Sequence, residues 1–275
     1  MQPAINLLDE LPEIRPFPET AGRIVAACNR GDSTAQELCG IIQCDAAITL
    51  KLLKIANSSV YGMSGRVTSL QRAVVVLGFR AVRNLALAAA AEDVFTSDGG
   101  TLGQTLWKHS LACASVATLL AKADRVSAEE AFLAGIVHDA GKLILFDAYG
   151  ENYLEVAGGL PSEQRIAAER ERFGTDHQEL GLRCADEWGL PMEVADAISN
   201  HHDPLDAEDF RGLVDVITVA NGLAQHWGVG GFDAREIDVE RMVHQSPLNL
   251  KLDDLTELQE RSLEGFDTLQ ASFAN

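Results

Sequence analysis

The stretch Phe132-Leu133-Ala134-Gly135-Ile136-Val137-His138-Asp139-Ala140-Gly141-Lys142-Leu143-Ile144 is apolar nearly all round a helical projection, which predicts a buried helix. A His-Asp pair inside it has to be satisfied by something. Burying an ionised carboxylate unpaired costs several kcal/mol, so Asp139 must meet a cation. Neighbouring residues on a helix diverge by roughly 100°, yet the side chains of His138 and Asp139 can converge on one ion lying over the gap between them. Lys142, one turn after His138, places an ammonium where it can hold a substrate phosphate beside that ion. The structural alternative is a core histidine bonded to a backbone carbonyl, with Asp139 paired to Lys or Arg.

The other histidines bear on that choice. Of seven, His109, His138, His177, His201 and His202 each fall on a predicted helix beside apolar residues. Neutral imidazole suits divalent transition metals, and a helical bundle can project such ligands inward from several helices. Taken singly, His109 reads as a core histidine, His177 as a helix-start residue and His201-His202 as a polar helix end. His226 and His244 lie near loop residues and are expected at the surface.

Helical period runs through most of the chain, and no β-branched segment alternates cleanly, so the fold class is all-α. Ser33 with Gln36 reads as a capping box, Asp45 as the cap of a helix burying Ile48, Leu52 and Ile55, and Ser69 as the start of a helix that breaks at Gly78. That helix resumes from Arg80 to Phe95, and the Asp45 helix is expected to end at Asn57-Ser58-Ser59 before a turn at Tyr61-Gly62. Leu106 to Lys122 and Ala128 to Phe146 read as two long helices. Thr175 with Gln178 caps a third that ends at Trp188-Gly189, Pro191 opens a fourth that Asp203-Pro204 stops, and Val214 to Gln225 makes a fifth. The tail from Asp233 supplies one or two amphipathic helices. Breakers over Asp98 to Gly103 mark a joint between two lobes. The expected division is an N-terminal helical lobe over 1–98, a helical bundle carrying the histidines over 99–230 and a helical tail over 231–275.

Charge divides at the same place. Residues 1–98 hold 9 basic and 10 acidic side chains, whereas residues 99–275 hold 13 and 31. With a formal charge of −19 the whole chain repels phosphate backbones, so nucleic acid is not an expected partner, although Ser33 to Ser58 has helix-turn-helix spacing. Between Ala46 and Ala91 lie Lys51, Lys54, Arg66, Arg72, Arg80 and Arg83 with no acidic residue, a candidate partner-facing patch. The longest apolar run, Leu111 to Ala121, falls short of the roughly 18–20 residues that span a bilayer. Neither that run nor the acidic N-terminus indicates a membrane or a secretory signal. Cys28, Cys39, Cys44, Cys113 and Cys184, without a C-x-x-C pair, fit reduced thiols in a cytoplasm.

The order Trp107-Lys108-His109-Ser110, His138-Asp139-Ala140-Gly141-Lys142, His177-Gln178-Glu179-Leu180-Gly181, Trp188-Gly189-Leu190-Pro191 and His201-His202 resembles the HD superfamily of metal-dependent phosphohydrolases. The N-terminal half is similar to the HDOD branch, the HD-related output domain of bacterial signalling proteins. It does so through Leu11-Pro12, Pro16-Phe17-Pro18, Asp45-Ala46-Ala47-Ile48-Thr49, Leu52-Leu53, Ala56-Asn57-Ser58, Tyr61-Gly62, Ser69-Leu70 and Ala73 to Gly78. The resemblance implies a small helical lobe packed on an HD-like bundle. It makes His109, His138, Asp139, His177, His201 and His202 candidate ligands for one or two divalent ions (Fe, Mn, Ni or Zn), with Asp139 and Lys142 as the groups that would act in catalysis. Where the enzymes carry a late Asp ligand this chain has Asn221, a poorer ligand for a hard dication, and Asp215 is an uncertain substitute. Asp203-Pro204-Leu205-Asp206 after His202 lacks the Gly-Tyr-Pro of the cyclic-di-GMP phosphodiesterase branch. Many HDOD members are non-enzymatic signalling modules. The expected function is therefore a signal-transduction output protein that retains a divalent-metal site and acts by binding a signalling protein or a small phosphorylated ligand more than by turnover. The alternative is a metal-dependent phosphohydrolase acting on a phosphoester or nucleotide.

Overall fold

The computed structural model describes residues 14–58, 66–97, 100–157, 160, 162–207, 209–229 and 237–274. The first lobe holds α1 (Glu19–Asn29), α2 (Ala35–Gln43), α3 (Ala46–Ala56), α4 (Leu70–Leu77) and α5 (Phe79–Thr96). The bundle follows with α6 (Thr101–Asp124), α7 (Ala128–Val137), α8 (Ala140–Tyr149), α9 (Glu151–Ala157), α10 (Ser162–Phe173), α11 (His177–Trp188), α12 (Met192–Asn200) and α13 (Arg211–His226). Two tail helices, α14 (Val239–Gln245) and α15 (Leu255–Phe273), complete an architecture without strands among the described residues.

Local chemistry sets most of these boundaries. The Asp45 carboxylate accepts from the Ile48 amide at 3.0 Å, and α3 buries Ile48, Leu52 and Ile55. Ser69 accepts from the Arg72 amide at 3.1 Å, and Gly78, at φ +93°, turns the chain between α4 and α5 where a Cβ would be strained. Two caps lie one residue beyond their expected positions. Thr34, not Ser33, accepts from the Glu37 amide, while the Ser33 hydroxyl bonds the Ala27 carbonyl. At α11 Asp176 accepts from the amides of Gln178 and Glu179, and Thr175 donates its hydroxyl to Glu179. In both cases neighbouring cap-competent side chains compete, and spacing alone cannot rank them. The Tyr61-Gly62 turn, Leu11-Pro12 and the Asp98-Gly99 part of the joint lie outside the described residues.

A larger correction concerns Ala128 to Phe146, expected as one helix. The chain leaves the helix at His138 and Asp139, with Asp139 at φ −101° and ψ 12°, and restarts at Ala140. At this break His138 Nε2 and Asp139 Oδ2 lie 3.4 Å apart. The break also brings Gly141 against α11 so closely that a Cβ there would overlap the His177 carbonyl oxygen and approach the Gly181 nitrogen to 2.7 Å.

One apolar core runs from Ala21 to Phe273. Its centre is α5, whose Ala86 and Ala88 to Ala91 are all buried and give a smooth surface for α3, α6 and α7. Phe95, Trp107 and Phe273 join α5, α6 and α15, with Trp107 and Phe273 edge-on at 4.9 Å. Arg15 forms a bidentate pair with Asp147 of α8 and donates to the Val94 carbonyl at the end of α5. Phe17 stacks on Trp188 at 4.9 Å, and the Trp188 indole N–H donates to the Arg15 carbonyl. The Arg15 to Pro18 strap thereby ties the first lobe to the histidine-bearing bundle. No described helix is long and apolar enough to cross a membrane. The five cysteines are free, with Cys39, Cys113 and Cys184 buried.

Gly141→Ala should therefore cost about 1–3 kcal/mol or more through overpacking, whereas Gly40→Ala, which meets open space on α2, should stabilise by about 0.5–1 kcal/mol. Denaturant unfolding of the two variants measures both. Equal stabilities would contradict the close approach of α8 to α11.

Candidate metal centre

Four segments meet around Asp139. His109 comes from the middle of α6, His138 and Asp139 from the α7–α8 break, His177 from the first position of α11, and His201 and His202 from the end of α12. Four imidazole Nε2 atoms surround the carboxylate. His109 and His138 lie 3.8 and 3.4 Å from Oδ2, and His177 and His201 lie 3.7 and 3.6 Å from Oδ1. His202 Nε2 is 3.1 Å from His177 Nε2. The ligating atoms of Asp139, His177, His201 and His202 all fall within 4.8 Å of one another, as do those of His109, His138 and Asp139.

Hydrogen bonds on the far side of three rings fix their tautomers. His138 Nδ1 donates to the Gly135 carbonyl at 2.9 Å, His201 Nδ1 to the Ile198 carbonyl at 2.8 Å, and His177 Nδ1 to Glu169 Oε2 at 2.6 Å. In a neutral ring the opposite nitrogen then carries a lone pair, and all three lone pairs face Asp139. Separations of 3.4–3.7 Å are too long for hydrogen bonds. They do suit donors arranged about a shared ion, whose bonds are about 2.0–2.2 Å long. Asp139 Oδ1, His138 Nε2 and His201 Nε2 are buried without any hydrogen-bond partner. Lone pairs facing a carboxylate repel it, so the donor set fits a divalent cation.

Electrostatics keep the donors in ligand form. Burial pushes the imidazoles toward neutrality, with His109 drawn down to about 4, His177 lowered, and His138 and His202 well below their ordinary value. Burial pushes the Asp139 carboxyl up, but Lys142 and the surrounding rings outweigh it and hold the group well below the usual carboxylate range. The Lys142 ammonium, itself buried, sits 2.5 Å from Oδ2. His109 Nε2 faces Asn221 Oδ1 at 3.0 Å, and that oxygen also accepts from Gln225 Nε2 at 2.7 Å.

Asp215 pairs with Arg211 at 3.2 Å and belongs to neither group of converging ligand atoms. His244 is exposed as expected, whereas His226 is half-buried with Nδ1 enclosed; neither joins the cluster. Among the six basic residues of the first lobe, Lys51 pairs with Glu92 at 2.5 Å and Lys54 reaches the Ala274 carbonyl. Arg83 donates to Asn84, Arg80 approaches Glu130 at 4.0 Å, and Arg66 and Arg72 are exposed.

Sequence reasoning missed Glu169. This carboxylate accepts from the His177 ring, from the His177 amide at 3.0 Å and from the Tyr153 hydroxyl at 3.1 Å, and it is fully buried. It sits in the charged run Arg165 to Arg172, which reads as a solvated face. The available signal was its place between Ile166 and Phe173 on one helical stripe, both of them buried.

These shifts give the fold a pH dependence. The unfolded chain takes up protons at His109, His138, His177 and His202 below about pH 6.5, and the folded chain resists that uptake. Stability is therefore lost as pH falls from 6.5 toward 4, by about 3 kcal/mol for His109 alone. The Asp139 contribution is lost only at still lower pH. Melting temperature should fall steeply across that window, and His109→Gln should flatten the slope. Equal melting temperatures at about pH 7 and about pH 5 would contradict buried neutral imidazoles.

The HDOD domain profile matches residues 14–204. An HDOD domain protein from Geobacter sulfurreducens superposes with a TM-score of 0.76 at 24% identity, covering 98% of this chain and 96% of that one. A Shewanella amazonensis protein provisionally described as a phosphohydrolase gives 0.71 at 24%, covering 95% and 96%. At such identity these structures show the shared fold alone. An uncharacterized protein of Treponema pallidum is 26% identical over 276 residues, 98% of this chain but 52% of its own length. Ribonuclease Y of Thermus thermophilus is 35% identical over 112 residues, 41% of this chain and 15% of the enzyme. The chain thus spans about half of the first relative and a small part of the second. On a profile covering most of its length and a bundle shared with a solved member, the chain belongs to the HDOD family.

Proposed function

We propose that this HDOD chain is a signal-transduction module that holds a divalent ion around Asp139 and acts by binding a signalling protein or small phosphorylated ligand, not by turnover. The observation that carries the reading is closure. His109, His138, Asp139, His177 and His201 are each at most 1% exposed, and Lys142 is 4% exposed. An ion fits among them; a phosphoester needs room beside them. The candidate ligands are His109, His138, Asp139, His177, His201 and His202, with Asn221 as a weaker neutral donor. An imidazole-rich set suits Fe, Mn, Ni or Zn. Such an ion would supply Lewis-acid chemistry to any phosphoryl oxygen reaching it. Binding to the folded state alone adds stability by mass action.

The first lobe supplies the partner surface in this reading. Arg66 and Arg72 are exposed there alongside Leu50 and Val75, which are 61% and 76% exposed. Cations mixed with apolar groups suit an acidic protein surface. Free thiols suit a reducing cytoplasm as the working compartment.

One observation favours turnover instead: a cleft of about 200 Å³ lined by Ile166, Ala167, Arg170, His202 and Asp203 opens over His202. The experiment that separates the readings adds Mn2+, Fe2+, Ni2+ or Zn2+ to metal-stripped protein and follows melting temperature and hydrolysis of a generic phosphoester. At a hundredfold excess over Kd the melting temperature should rise by about 5 °C or more, and His201→Ala should abolish the rise. Hydrolysis should stay at the protein-free rate. Turnover that disappears in His201→Ala would establish the phosphohydrolase, and an unmoved melting temperature with every metal would remove the ion.

A further inference from the structure

We infer that the centre takes a single ion, on the Oδ1 side of Asp139, and that the Lys142 ammonium holds the place a second ion would need on the Oδ2 side. This rests on the ion-binding reading above and adds where the ion sits and how many there are.

The two carboxylate oxygens have different surroundings. Around Oδ1 stand the Nε2 atoms of His177 and His201, with His202 Nε2 beside His177. The bonds from His177 Nδ1 to Glu169 and from His201 Nδ1 to the Ile198 carbonyl leave lone pairs on both Nε2 atoms. A proton on His202 Nε2 would satisfy His177 alone. Asp139 Oδ1 and His201 Nε2 would remain buried without partners, as they are now. One divalent ion answers all four donors together.

Around Oδ2 the neighbouring groups are largely paired already. Lys142 Nζ lies 2.5 Å away, already in contact. The Asn221 amide oxygen can only accept, so His109 Nε2, at 3.0 Å from it, carries the proton of that bond. One lone pair without a hydrogen-bond partner, on His138 Nε2, remains on this side at 3.4 Å from Oδ2. An ion entering here would have to displace an ammonium and take the His109 proton, with the neutral amide of Asn221 as its recompense. A single positive charge already present, bonded and buried, wins that competition.

The test is reconstitution of the metal-stripped 275-residue chain with Co2+ alone, reading cobalt content and visible absorption, with circular dichroism as the check on folding. Wild-type protein should hold one equivalent. His202→Gln should weaken Co2+ binding at least about tenfold and alter the absorption bands, whereas His109→Gln, which keeps an N–H for Asn221, should leave affinity within about twofold. Lys142→Met combined with Asn221→Asp should admit a second equivalent. Two equivalents in the wild type, a first equivalent lost in His109→Gln but kept in His202→Gln, or a folded double variant that stays at one would each overturn the placement while leaving ion binding intact. No bound cobalt in any of the proteins would overturn the ion-binding reading itself. If the double variant does not fold, the contrast between the two glutamine variants decides the placement.

Discussion

A carboxylate fully enclosed in an apolar bundle has to be compensated, and the surroundings of Asp139 are organised around that requirement. An unpaired ion there would cost several kcal/mol, comparable with the whole stability of a domain. Lys142 provides the first compensation at 2.5 Å. It compensates the carboxylate charge inside the closed bundle. The second is left to something the side chains cannot supply, because imidazole lone pairs on neighbouring helices are turned toward a carboxylate they cannot hydrogen-bond.

The helix break follows from the same constraint. A continuous helix through His138 and Asp139 would splay the two side chains by roughly 100°. At the interruption His138 Nε2 and Asp139 Oδ2 lie 3.4 Å apart, and Gly141 lets α8 approach α11 at His177. Ring orientation is fixed at a distance. The terminal carbonyls of α7 and α12 and the buried Glu169 carboxylate each take one ring proton, so the helix ends that deliver the histidines also set which nitrogen faces inward. Such a site is preorganised and closed, which suits retention of an ion more than passage of a substrate.

Much of this was legible in the sequence because it depends on short-range pattern. Apolar period gave the helices, the caps at Asp45 and Ser69 and the break at Gly78, and five histidines on apolar faces pointed to one interior. What was not legible depends on tertiary contact. The split of Ala128 to Phe146 at His138 is invisible in a segment with no Gly or Pro at the break. Glu169 was hidden among exposed charges of the same kind, and only its contact with His177 distinguishes it. Lys142 was readable as a phosphate contact or as a partner of Asp139, since both roles need an ammonium one turn along. The short distance to Oδ2 favours the second.

Anomalous X-ray diffraction from crystals grown without chelator, recorded at the absorption edge of the metal found in the protein, tests the central claim most directly. The account predicts an anomalous peak within bonding distance, about 2.0–2.2 Å, of Asp139 and the histidine Nε2 atoms around it. A well-ordered centre with no peak, its imidazoles protonated or bridged by water to Asp139, would contradict it.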